Sequence, residues 1–307
     1  MLVVIALGGN ALLRRDQAPE HAAQQENVRI AAAAVAEVAR EHKVVVTHGN
    51  GPQIGLLALQ AAAYRPVKPY PLDVMGAESE GMIGYVLERE LANAMPGRAT
   101  ATLLTQVEVD PSDPAFAQPT KPIGPVYDER EAERIGRAEG WTMGRDGPGW
   151  RRLVASPAPR AIRELAAIRL LVRESMTVIC AGGGGIPVAA GPDGRLAGVE
   201  AVIDKDHVAG LLAAELGADR LLLLTDVATV YEDWPQPARR AIRAASPAEL
   251  RRLALSAGSM APKVEAACAF AERGGQAAIG ALGDAAAILR GAAGTSIVRD
   301  AAPMTYW

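Results

Sequence analysis

Leu2–Leu7 is a wholly apolar run that stops at Gly8-Gly9, the pattern of a central parallel strand buried on both faces. After a polar loop, residues 26–40 place Val28, Ala31, Ala32, Val35, Val38 and Ala39 at helical spacing. Residues 44–47 form a second apolar strand, closed by His48-Gly49-Asn50-Gly51. Strand, helix and strand make a βαβ unit, and the alternation continues. The spacing predicts helices over 76–94, 160–172, 207–216 and 263–273, and strands over 100–104, 177–180, 221–224, 276–280 and 295–298. Alternation of this kind predicts an α/β fold with helices on both faces of a mainly parallel sheet.

One segment breaks the rhythm. Residues 110–159 show no long apolar period, eight prolines punctuate them, and Trp141 and Trp150 offer small local cores. Proline spacing fits a functional lid and a passive surface insertion equally.

Composition changes this picture in two ways. The 307 residues suffice for one large or two ordinary domains, and 50% of them are hydrophobic. A net charge of −3 argues against a nucleic-acid surface, which needs a clustered basic excess. No stretch approaches about 18 uninterrupted apolar residues, so no membrane span is expected, and MLVVIALGGN is too short an apolar run for a signal peptide. Cys180 and Cys268 lack any CxxC or histidine spacing and read as buried thiols of a reducing compartment. The second change lies within the cations: 27 are arginine and only Lys43, Lys68, Lys121, Lys205 and Lys263 are lysine. Under such a drift toward arginine, the surviving lysines are candidates for work that a rigid planar fork cannot do.

Three glycine clusters follow predicted strands: Gly8-Gly9-Asn10, Gly49-Asn50-Gly51 and residues 182–185. Glycine beyond the carboxyl end of a parallel strand lets backbone N–H groups approach an anion, although a single such glycine is more often a tight turn. None fits a dinucleotide-binding GxGxxG or a GxxxxGK[ST] loop. Lys121 stands in the 110–159 excursion, Lys205 lies between Asp204 and Asp206 at a predicted helix start, and Lys263 follows Pro262 at another. Each has a structural reading as a helix-opening or capping residue. His48, the histidine beside a glycine cluster, reads as a structural strand-end residue, and no Ser-His-Asp or Cys-His set stands out. Lysines, glycine turns and no general base suit phosphoryl transfer to an already ionised oxygen. There the obstacle is bringing two anions together, a repulsion of roughly 4 kcal/mol per pair of unit charges at 4 Å and an effective dielectric near 20.

Six motifs, in order, resemble the carbamate kinase family: ALGGNA from Ala6, THGNGPQ from Thr47, PTKPIGP from Pro119, GGGGIPV from Gly182, GVEAVIDKD from Gly198 and GSMAPK from Gly258. The resemblance implies the amino-acid-kinase fold, a three-layer αβα sandwich around a mainly parallel central sheet. It implies a single domain over 1–307 with 110–159 as a protruding lid subdomain, and a cytoplasmic homodimer. The implied activity is reversible, direct in-line phosphoryl transfer between ATP and carbamate, giving ADP and carbamoyl phosphate. Mg2+ travels mainly on the ATP phosphates, and no side-chain metal site is implied. By the same resemblance Gly8, Gly9 and Asn10 hold the transferred group, and Gly49, Asn50 and Gly51 bind the carbamoyl end. Lys121 reaches the phosphoryl group, Lys205 and Lys263 pair with nucleotide phosphates, and Asp206 orients the lysines with Asp204 beside it on the nucleotide side. Asp226, Val227 and Tyr231 border the nucleotide. Other amino-acid kinases often carry a lysine where this chain has Ala6, and residues 232–237 depart from the usual loop after the nucleotide strand. Two rivals remain: an amino-acid kinase for another small acid, disfavoured by the Thr-Lys-Pro-Ile-Gly lid and by Ala6, and a catalytically silent nucleotide or carbamoyl-phosphate sensor, disfavoured by the three lysines.

Overall fold

A computed structural model of the protein describes residues 1–12, 21–63, 70–253, 255, 260–301 and 303–307, without the side chains of residues 10, 11 and 21. The first half runs β1 (Leu2–Leu7), the short α1 (Gly9–Leu12), α2 (His21–Ala39), β2 (Lys43–His48), α3 (Gly51–Ala63), α4 (Leu72–Ala94), β3 (Thr100–Leu103) and β4 (Gln106–Val109). Then come β5 (Lys121–Tyr127), α5 (Glu129–Glu139), β6 (Met143–Asp146), β7 (Gly149–Val154), β8 (Pro159–Ile162), α6 (Leu165–Arg173), β9 (Thr177–Cys180), β10 (Ile186–Ala190) and β11 (Leu196–Gly198). The remainder is α7 (Lys205–Leu216), β12 (Arg220–Thr225), β13 (Tyr231–Glu232), β14 (Arg240–Ala245), α8 (Pro247–Leu250), α9 (Met260–Glu272), β15 (Gln276–Ala281), α10 (Ala285–Leu289), β16 (Thr295–Ile297) and β17 (Thr305–Tyr306).

The large sheet has the order β3-β9-β2-β1-β12-β15-β16-β14-β13, with β17 paired to β14. From β3 to β15 all pairs are parallel. The period of two explains why the middles of its central strands are apolar on both faces. Val3, Ile5 and Leu7 enter a core with α2, α4 and α10, while Val4 and Ala6 enter another with α6, α7 and α9; β2 and β12 divide likewise. Helices on both faces of the sheet make the three-layer αβα sandwich, with the carboxyl ends of β1, β2, β9 and β12 along one edge.

Two expectations need correction. The helix predicted over 160–172 begins as β8, because Ile162 and Ala161 pair with Val107 and Glu108 of β4, and α6 starts only at Leu165. The segment 110–159, which shows no apolar period, contains the antiparallel sheet β5-β7-β6 with α5 packed against it. Its strands are short and rich in glycine, proline and arginine, and Arg152 stacks on Trp141 at 4.2 Å from the ring centre, so an ordinary hydrophobic alternation is missing. The root of this unit is firmly packed: Ile123 and Val154 share a small core with Ile54, Leu72, Met75 and Val202. Here β5 crosses α3 so closely that a Cβ on Gly55 would lie 2.0 Å from the Gly124 Cα.

Candidate active site

The glycine turns after β1 and β2 touch. Gly8 donates its N–H to the Leu224 carbonyl at 2.9 Å and Gly49 donates to Leu7 at 3.0 Å, which ties the turns to neighbouring strand ends. A Cβ on Gly49 would stand 2.9 Å from the Gly9 nitrogen and 3.4 Å from Cε of Lys205. Glycine is therefore required for the two backbones and the lysine stem to meet. Residue 10 continues into α1, its side chain outside the described set, and Gly51 opens α3.

Lys205 and Asp206 begin α7, and Lys263 comes from the first turns of α9, which packs against it. One Asp206 carboxylate oxygen accepts from Lys205 Nζ and the other from Lys263 Nζ at 3.1 Å. All three side chains are buried. Burial and the charge of Lys205 push the Lys263 ammonium below its ordinary range, while Asp206 and Asp204 pull it back. Removing Asp206 would leave two buried cations uncompensated, a loss of about 3–5 kcal/mol. Lys121, reaching over from β5, donates to Asp204 Oδ2 at 2.7 Å. The other Asp204 oxygen caps α7 by accepting the Asp206 N–H at 2.9 Å. Burial works against the Asp204 carboxylate, yet Lys121 and Lys205 outweigh it and hold this group well below the usual carboxylate range. Asp204 is thus the partner of Lys121 in this structure.

The third glycine cluster lies beside the first two. Gly182 abuts His48, and Gly183 abuts Asn50, whose Nδ2 donates to Ser79 Oγ at 2.8 Å. His48 is fully buried, with Nδ1 3.2 Å from the Gly49 carbonyl oxygen and Nε2 unpartnered among the described residues. Burial pushes its imidazole down to about 4 against the Gly49 contact, so it is neutral near pH 7. Asp226 and Val227 follow β12, next to the Gly8 turn, and Asp226 accepts from Thr225 Oγ1 at 2.9 Å. Tyr231 sits farther along, on β13 at the sheet's other edge, with its ring against Trp234 and Arg239 of the atypical loop. Lys43 donates to the Arg173 carbonyl at 3.3 Å, and Lys68 lies outside the described residues.

A family model described as the amino acid kinase family matches residues 1–279. The chain belongs to the amino acid kinase family. Among its relatives within that family, the carbamate kinase of Rhizobium meliloti (strain 1021) is 53% identical, over 100% of this chain and 96% of that protein. The solved carbamate kinase from Giardia lamblia bound to citric acid superposes with a TM-score of 0.91 at 39% identity, covering 97% of this chain and 98% of that one. The same Giardia protein bound to AMP-PNP gives 0.88 at 39% identity, over 97% and 98% of the two chains. Within the family fold, the turns at Gly8, Gly49 and Gly182 meet at one sheet edge, with Lys205 beside them. Sequence reading missed Ser79, Glu80 and Thr105, which fasten the glycine loops from behind. Glu80 carried a signal: it is an acidic residue on the same helical face as Gly76, Ile83, Gly84 and Leu87.

Proposed function

We propose that this chain transfers a phosphoryl group reversibly between ATP and carbamate, giving ADP and carbamoyl phosphate. The observation that carries the reading is one carboxylate, Asp206, holding Lys205 and Lys263 beside two abutting glycine turns. Relatives named carbamate kinase at 53% identity over the full chain support the acceptor, and the AMP-PNP bound to the Giardia relative supports the nucleotide.

In the direction of carbamoyl phosphate synthesis, an ionised carbamate oxygen attacks the γ-phosphorus in line. The new O–P bond forms as the bridging β–γ bond breaks, and its electron pair leaves with ADP. The nucleophile needs no deprotonation, which suits a His48 that is neutral and buried under Gly49 rather than presented as a base. The chain's task is positioning and charge neutralisation. The Gly9 N–H faces the transferred oxygens and those of residues 50 and 51 face the carbamoyl end, while the Gly8 and Gly49 N–H groups hold the turns to Leu224 and Leu7, and lysine ammonium groups offset the repulsion between anions. Lys121 supplies from the lid the charge that Ala6 lacks.

Mg2+ would add neutralisation on the nucleotide phosphates. Both Asp206 oxygens are taken by ammonium groups, and those of Asp204 by Lys121 and a backbone N–H. Among the described residues no three His, Cys, Asp or Glu side chains gather as a metal site. The donor set therefore fits a cation that arrives on the nucleotide.

We assign residues 110–159 as the lid of a single domain, on the support of the Lys121–Asp204 pair, and the homodimer as the working unit. Buried, unpaired Cys180 and Cys268 suit the cytoplasm, and no described helix is long and apolar enough to cross a membrane. The deciding assay is ATP formation from ADP, magnesium and carbamoyl phosphate by the purified protein. Turnover supports the reading; turnover only with another acyl phosphate, or binding without turnover, overturns it.

A further inference from the structure

Behind the glycine turns stands a buried carboxyl group that phosphoryl transfer leaves without a task. Glu80, midway along α4, is 1% exposed. Its Oε2 accepts the Thr105 N–H at 3.0 Å and its Oε1 accepts the Gly182 N–H at 2.6 Å. Thr105 lies just beyond β3 and Gly182 just beyond β9, and these strands are parallel neighbours. One side chain therefore gathers the N–H groups past two strand ends. Burying a carboxyl group is costly unless its hydrogen bonds are made, and here both oxygens have partners.

The loop it holds has little freedom of its own. Ala181, Gly183, Gly184 and Gly185 all have left-handed φ, between 52° and 98°. Successive glycines press on separate parts of the site: a Cβ at Gly182 would lie 2.3 Å from His48 Nε2, and one at Gly183 would lie 2.0 Å from Asn50 Nδ2. Thr105 Oγ1 accepts the Ala181 N–H at 2.9 Å, and Thr47 Oγ1 donates to the Ala181 carbonyl at 2.8 Å. Ser79, next to Glu80 on α4, accepts from Asn50 itself. Adjacent helix residues thus fix the 49–51 turn and the loop beneath it. Gly184 of the same loop meets the Ile203 carbonyl just ahead of α7, but the start of α7 has fixings of its own in the Asp204 cap and the Asp206–Lys263 pair.

We infer that Glu80 is a positioning residue for the acid substrate, holding the 182–185 loop at the height that seats Gly183 on Asn50 and places the backbone donors of the 49–51 turn. The inference rests on the proposed phosphoryl transfer and names which half of it Glu80 serves.

The titratable groups around Glu80 are Cys180 on β9, Glu164 before α6 and His48 at the end of β2, which shares Gly182 with it. Burial pushes the Glu80 carboxyl up to about 8, against its two N–H donors and with Glu164 adding to the rise. The comparison is accordingly made about one unit above that value, where the group is a carboxylate.

Glu80→Gln keeps the size but turns an amide NH2 toward one of the N–H donors. It should raise KM for carbamoyl phosphate at least about tenfold and leave KM for ADP within about twofold. Thr105→Ala, which frees the Ala181 N–H, should give the same split more weakly, and it carries the test if Glu80→Gln yields no folded protein. A lower Tm with both KM values unchanged, an equal rise in both, or a loss in kcat alone overturns the inference. Failure of the unaltered protein to turn over carbamoyl phosphate overturns the proposed function instead.

Discussion

Asp206 shares one negative charge between two buried ammonium groups, compact point charges where arginine would bring a rigid planar fork. Lys205 is 8% exposed, and its stem is hemmed in by the Gly49 backbone. Lys121→Arg and Lys205→Arg should each lower kcat at least about tenfold, a barrier change of about 1.4 kcal/mol, with an unchanged far-UV spectrum. Rates near those of the unaltered protein would mean that charge alone suffices. Lys43→Arg, at the far end of β2, should be silent in the same assay. His48 makes a separate prediction about pH. Its unfolded form titrates near 6.5 and its folded form near 4, so between these values only the unfolded chain takes up the proton. Its share of stability is present above 6.5 and is lost as pH falls toward 4, about 3 kcal/mol in all. Glu80, raised from 4.5 to about 8, works in the opposite sense, losing its share as pH rises through that window. The difference in Tm between the unaltered protein and His48→Gln therefore isolates the histidine. It should shrink on acidification from 6.5 to 4, and a constant difference would refute the buried neutral imidazole.

At the level of elements, legibility followed the uniformity of the environment. Strands β1, β9 and β15 lie between two helical layers, so residues 3–7, 178–180 and 277–279 form unbroken apolar runs. The helix α3 was missed because its alanine- and leucine-rich turns show no polar face, and β8 was absorbed into a helix because its pairing with β4 is not written locally. The site divides in the same way. Turns, lysines and Asp206 carry motif chemistry and could be read directly. Glu80 and Ser79 act through backbone groups brought close only by the fold, so only a carboxylate on an otherwise apolar helical face hinted at them.

For the molecule as a whole, the parallel order β9-β2-β1-β12 brings four loops to one edge. The free edge beyond β3 has a different character: Met82 and Tyr85 on α4 and Leu104 after β3 expose apolar side chains there. This surface supports the proposed homodimer. Light scattering should give twice the 32.0 kDa of one chain, and Tyr85→Glu should halve it; a monomeric unaltered protein would refute the assignment. At Gly55 and Gly124 two backbones meet with no side chain between them. The height of β5 above the site, and with it the reach of Lys121, is gauged by two missing methyl groups far apart in the sequence. Lys121 is thus aimed by absent atoms, and a side chain at position 55 would lift its charge off Asp204 without touching it.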